Sequence, residues 1–176
     1  MKTKLFTLIA GLLMVSASSF AQKDPVDRLF DKYSGQDGYT TVYISSKMFS
    51  LFSQIDPEDK DLQNMMKGLK SIRILAGDDE SKMKNKVNFY DEVMKDLPVD
   101  KYEELMVIKE SGQDLKFLIR EENNVIVELL LVGGGTSADD NVLISIRGII
   151  DMKNISKIGK AFNVEGLDNL EKIDDN

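Results

Sequence analysis

The chain reads as an α+β domain with a mainly antiparallel or mixed sheet packed against helices. Three observations carry that reading. The first half places apolar residues at helical spacing around two short strand patterns. The second half holds four strand-like runs joined by short links. No Pro-, Gly- or Ser-rich boundary separates the halves, so the early helices are available to cover the later strands.

The first half is justified element by element. Asp24 to Tyr33 predicts a short helix, because Pro25 suits a first turn and Val26, Leu29, Phe30 and Tyr33 share one face. Gly35 and Gly38 break it. Tyr39 to Ile44, rich in β-branched and aromatic residues, predicts a strand. Ser45 or Ser46 then caps a helix holding Met48, Phe49, Leu51, Phe52 and Ile55. Asp56-Pro57-Glu58 restarts the chain, and Leu62, Met65, Met66 and Leu69 form the next helical stripe. In Ser71 to Leu75, Ile72 and Ile74 share one strand face and Arg73 and Leu75 the other. A helix from about Ser81 to Leu97 aligns Met83, Val87, Tyr90 and Met94, and Pro98 ends it.

In the second half, Glu103–Lys109, Leu115–Glu121, Asn124–Val132 and Asn141–Arg147 predict four strands. Gly112 and the pair Asn123-Asn124 lie in links short enough for hairpins, so an antiparallel meander is the expected topology. Val125 to Val132 is apolar except for Glu128, which places that strand centrally, covered on both faces. Asp151 is positioned to cap a last helix with Met152, Ile155, Ile158 and Phe162 on its apolar face. Residues 169–176 read as an acidic tail that frays.

The N-terminus has the layout of a secretory signal peptide over residues 1–21. Lys2 and Lys4 precede an apolar run from Leu5 to Val15. Ser19 and Ala21 supply small residues at a cleavage site before Gln22. The run is too short and too soon interrupted by serines for a good spanning helix. The mature chain is expected to hold its domain over residues 22–168 and to work in the periplasm or outside the cell. Residue 22 is Gln, not Cys, so conventional N-terminal lipoprotein attachment is not expected. No second long apolar run predicts a membrane span.

Removing residues 1–21 removes two lysines and no acid, which takes the formal charge from −7 to −9. Such a surface repels nucleic acid, and no basic stripe interleaved with aromatics offsets it. The chain has no cysteine and no histidine. Disulfides, thiolate nucleophiles, Ser-His-Asp and Cys-His arrangements and HExxH sites are therefore excluded. No cofactor, catalytic residue or metal ligand is assigned.

Several constellations have both a chemical and a structural explanation. Gly133-Gly134-Gly135-Thr136-Ser137 resembles an anion-binding nest, yet Asp139 and Asp140 bring negative charge close, and a flexible link between strands is expected instead. The run Asp56 to Asp61 offers oxygen ligands for calcium, but lacks the glycine and distal glutamate of an EF-hand loop and fits a helix start. Gly77-Asp78-Asp79-Glu80 is a weaker candidate. Glu121, Glu122 and Glu128 suggest a glycosidase pair, but adjacent strand residues point to opposite faces, and Glu128 is expected to face Arg120, Arg147 or solvent across the sheet, with a structural ion pair favoured over catalysis. The methionines, including Met48, fit core packing. Tyr39, Tyr43, Phe49 and Phe52 fit core packing better than an exposed cluster; if a ligand or partner surface exists, it is expected to involve Tyr39, Tyr43, Tyr102, Gly133, Gly134 and Gly135.

The segments Tyr43-Ile-Ser-Ser-Lys-Met-Phe49, Leu69-Lys-Ser-Ile-Arg-Ile-Leu75, Tyr102-Glu-Glu-Leu-Met-Val107, Leu129-Leu-Leu-Val-Gly-Gly134 and Val142-Leu-Ile-Ser-Ile-Arg-Gly148 together resemble the DUF4252 family of exported Bacteroidetes proteins. The resemblance covers approximately residues 25–163. It implies export, and it carries no catalytic residues to transfer. Some members resemble lipoproteins, from which this chain departs at Gln22.

Three functional classes stay open. The first is a non-enzymatic envelope protein that binds another protein or peptide. The second is a carbohydrate- or small-ligand-binding module built around Tyr39, Tyr43 or Tyr102. The third is a hydrolase that uses only carboxylates and hydroxyls.

Overall fold

The side chain of Asp24 starts the first helix by accepting a hydrogen bond from the Val26 N–H at 2.8 Å. Helix α1 spans Pro25–Tyr33 and buries Val26, Leu29, Phe30 and Tyr33. The computed structural model describes residues 23–54, 60–83 and 86–151. After α1 come β1 (Tyr39–Ser45), α2 (Ser46–Phe52), α3 (Lys60–Gly68) and β2 (Leu69–Gly77). Then follow α4 (Phe89–Met94), a 3₁₀ turn at Val99–Lys101, and the strands β3 (Glu103–Glu110), β4 (Gln113–Glu122), β5 (Val125–Gly135) and β6 (Val142–Ile150).

The six strands form one sheet in the order β1-β2-β6-β5-β4-β3. Every neighbouring pair is antiparallel. Strands β3 to β6 are the expected meander. The chain passes from β2 to the far edge at β3 by way of α4, and β6 returns to pair with β2. The turn between β4 and β5 places Asn123 at φ 55° and Asn124 at φ 63°. That pair of left-handed residues matches the right-handed twist of a tight hairpin. Gly112, at φ 94°, supplies the same freedom between β3 and β4.

Alternation along the strands builds two cores. On one face, Leu75, Leu118, Leu130, Val132 and Leu143 pack with Val26, Leu29 and Phe30 of α1 and with Phe89 and Val93 of α4. On the other face, Ile72, Phe117, Ile119, Leu129, Leu131, Ile144 and Ile146 pack with Phe49 of α2 and Met65 and Met66 of α3. The sheet is therefore covered on both faces, and β5, with a neighbour on each side, is central as expected.

Several expectations are corrected. Among the described residues, the helix expected over Ser81–Leu97 is confined to α4, because Asn88 accepts from the Asp91 N–H and sets the start there. Met48 is 45% exposed on α2 and is not a core residue. Gly133, Gly134 and Gly135 are not a flexible link: they continue β5 and pair with Leu115, Asp114 and Gln113 of β4. Gly134 is where α4 begins close to the sheet. A Cβ there would stand 2.7 Å from the Tyr90 backbone nitrogen and would collide with the Asn88 side chain. The leader at 1–21, the acidic segment at 55–59, the last helix expected after Asp151 and the tail at 169–176 lie outside the described residues.

Candidate functional site

One polar row crosses the α1–α4 face of the sheet. Register places Glu128 of β5 directly between Arg147 of β6 and Arg120 of β4. Glu128 is fully buried. Its Oε1 accepts from Arg147 Nε at 2.7 Å and from Ser145 Oγ at 2.9 Å. Its Oε2 accepts from the Tyr102 hydroxyl at 2.9 Å and from Arg120 Nε at 3.3 Å. Both oxygens of this carboxylate are thus engaged, as a buried charge requires.

The row continues to the first helix. Arg147 Nη1 donates to Asp27 Oδ1 at 2.8 Å, and Arg73 Nη1 donates to the same oxygen at 2.5 Å. Arg147 Nη2 is buried and stands 3.1 Å from Asp24 Oδ1 as a charge contact without hydrogen-bond geometry. Arg73 lies over the rings of Phe30 and Tyr43, at 5.7 and 5.6 Å from their centroids. At the other end Arg120 pairs with Glu122. Burial disfavours the charge on Arg147, but Glu128, Asp24 and Asp27 outweigh it and hold the guanidinium above its ordinary range. Burial first, and then Glu128, push the Tyr102 hydroxyl well above the usual tyrosine range.

The sequence-level surface residues do not converge. Tyr39 stacks on Phe89 at 5.9 Å and meets Tyr33 at 5.0 Å, half-buried against the α1–α4 core. Tyr43 is on outer strand β1, 56% exposed beneath Arg73. Tyr102 is at the opposite side of the sheet, just before β3, tied to Glu128. Gly133 and Gly134 are buried in β5. Glu128 meets both of the arginines expected from sequence, so its geometry is that of a structural ion pair. In the Asp78–Glu80 turn, Asp79 accepts from Ser81 and pairs with Lys82, and these contacts bring its carboxyl down to about 2.

A different feature emerges at the edge. Strand β3 is outermost, and seven of its eight residues are exposed. The central side chains Leu105, Val107 and Ile108 are apolar, with Val107 40% exposed. The register with β4 shifts between Glu104 and Met106, leaving Met106–Glu110 as an uninterrupted stretch. A cavity of about 360 Å³ opens at the start of the strand, lined by Asp100, Tyr102, Glu103, Arg120, Glu121 and Glu122 among others. Strand β3 was legible as a strand, but its outer place was not, because pairing order follows from contacts between distant segments. Asn88 and Asn141 were also missed. The buried Asn141 accepts from the Phe89 N–H at 2.9 Å and donates to the Ser137 carbonyl at 2.9 Å, fastening α4 to the β5–β6 connection.

The architecture is that of an α+β domain whose antiparallel sheet is layered between helices and crossed by an internal arginine–glutamate–arginine row. The chain belongs to the DUF4252 family, described as a domain of unknown function, which matches residues 33–158 and so contains all six strands. No curated protein and no solved structure matches it. Among the described residues, no helix is long and apolar enough to cross a membrane.

Proposed function

We propose that this DUF4252 domain is an exported, non-enzymatic module that binds another protein or a peptide. The observation that carries the binding role is the outer strand β3, which presents Leu105, Val107 and Ile108 to solvent at an edge that no described strand pairs. Apolar side chains on an unpaired strand edge are a template for a further strand. The carboxylate-hydrolase reading draws no support from Glu128, whose oxygens are taken up by Arg147, Ser145, Tyr102 and Arg120. Export is supported by Lys2, Lys4, the apolar run and the Ser19-Phe20-Ala21 site.

The test is site-specific photo-crosslinking of the full chain in cells, with the crosslinker at Val107 or at the exposed control position Ser34. A discrete adduct from Val107 and none from Ser34 is the expected result. Equal, diffuse labelling from both positions would overturn the binding reading. Mass spectrometry of the N-terminus tests export separately: a mature chain starting at Gln22 is expected, and a retained Met1 in all of the protein would overturn it.

A further inference from the structure

We infer that the partner of β3 is an extended, basic segment, alternating apolar residues with lysine or arginine, that adds to the sheet as a seventh strand. This rests on the binding reading above and names the chemistry of its partner. The backbone supplies the first reason. On its inner side β3 pairs with β4, and among the described residues no strand takes its outer N–H and C=O groups. The uninterrupted stretch Met106–Glu110 spans roughly 17 Å at strand spacing, enough for a short ladder. The apolar side chains of such an alternating strand would lie beside Val107 on one face and remove it from water, while its basic side chains would share the opposite face with Ile108 and Glu110.

Charge supplies the second reason and chooses the occupant. Strand β3 carries Glu103, Glu104 and Glu110 against Lys109. Glu104 is engaged by Lys116 and Glu122 by Arg120. Glu103, Glu110 and the cavity carboxylates of Asp100 and Glu121 have no ion-pair partner within 4 Å among the described residues; the cations Lys101 at the cavity and Lys109 on the strand offset only part of that charge, so the edge and its adjoining cavity remain net negative. A second copy of the chain would bring one net-negative edge against another. A basic strand meets it with opposite charge, both during approach and in the ladder. Outer strand β1 lacks this preference. Tyr39–Ser45 has no charged residue, and its exposed ring at Tyr43 already lies under Arg73.

The test uses the full chain and three labelled synthetic decapeptides, read by fluorescence anisotropy and amide hydrogen exchange. One alternates Lys and Val. The second alternates Lys and Pro, which keeps the charge but removes every second N–H. The third alternates Glu and Val. The Lys-Val peptide is expected to bind at least tenfold more tightly than either of the others and to slow exchange across residues 103–110. The double variant Glu103→Lys, Glu110→Lys, with circular dichroism to confirm its fold, is expected to shift the preference toward Glu-Val. Val107→Lys alone, on an exposed side chain, is expected to weaken Lys-Val binding, which keeps the test decisive if the double variant does not fold. Equal affinity for Lys-Val and Lys-Pro would overturn strand addition. Tight Lys-Val binding with protection elsewhere would remove β3 as the site while leaving a peptide-binding module in place. Slow exchange across β3 in a peptide-free dimer would replace the basic segment by a second copy. Failure of all three peptides would overturn this inference, with the Val107 crosslink deciding the broader reading independently.

Discussion

The hydroxyl of Tyr102 donates to Oε2 of Glu128 across 2.9 Å, joining the turn that leads into β3 to a strand two places further into the sheet. The outermost strand is thereby fastened at its beginning to Glu128, the most buried charge among the described residues. Its remaining length is free to face solvent. Replacing Tyr102 by Phe keeps the ring and removes this hydrogen bond to a charged acceptor. A loss of about 1.5–3 kcal/mol is expected in urea denaturation. Amides of residues 103–106 should exchange faster than in the parent, and an unchanged exchange pattern would show that the tie does not hold the strand.

Glu128 neutralises two arginines that the sheet register forces against it. Substituting Gln leaves a similar shape but removes the carboxylate between Arg147 and Arg120, which keep only Asp27, Asp24 and Glu122 as anionic partners. Removing one member of a buried ion pair costs about 3–5 kcal/mol, so Glu128→Gln is expected to lower the denaturation midpoint sharply. A double-mutant cycle with Arg120→Met measures how much of that cost belongs to the pair. Additive effects would show no coupling.

The raised position of Tyr102 makes the fold sensitive to alkali. Burial and the Glu128 charge favour the neutral phenol in the folded chain, whereas an unfolded tyrosine releases its proton near 10.0. The folded state therefore holds a proton that the unfolded state gives up. This contribution is fully present below pH 10 and is lost as pH rises through the folded value. Tyr33 and Tyr39 are displaced in the same direction, first of all by burial. Urea midpoints measured from pH 8 to pH 11 should fall beyond pH 10, and less steeply in Tyr102→Phe. A flat profile would contradict this.

Gly134 tests the packing of α4 against β5. Its missing Cβ makes room for Asn88 and for the Tyr90 backbone. Gly134→Ala is expected to destabilise by about 1–3 kcal/mol through overpacking, with part of the loss coming from displacement of the Asn88 cap. Asn88→Ala alone should cost about 1 kcal/mol. If the two substitutions add without interaction, the contact between them is not the cause.

Much of the secondary structure was legible because its periodicities are local. Val26, Leu29, Phe30 and Tyr33 marked α1, and the run Leu115–Glu121 marked β4. The long helix expected before Pro98 was shortened by Asn88, whose choice between helix interior and cap depends on how close α4 stands to Gly134 and Asn141. The glycines read as a linker because their lack of side chains looks the same in a loop and under a tightly packed helix.

For the site, the sequence by itself determined the inventory: no histidine, no cysteine, an acidic chain, and a glutamate alone in an apolar strand with two arginines on strands near it. It also determined the strands themselves, through patterns only a few residues long. Only the tertiary structure decided that Arg147, Glu128 and Arg120 stand in one row, that Tyr102 closes it, and that β3 rather than β4 or β6 is left at the edge. Those facts depend on which strands pair and in what register. That choice is made by two cores assembled from residues as far apart as Val26 and Leu143, and no local pattern contains it.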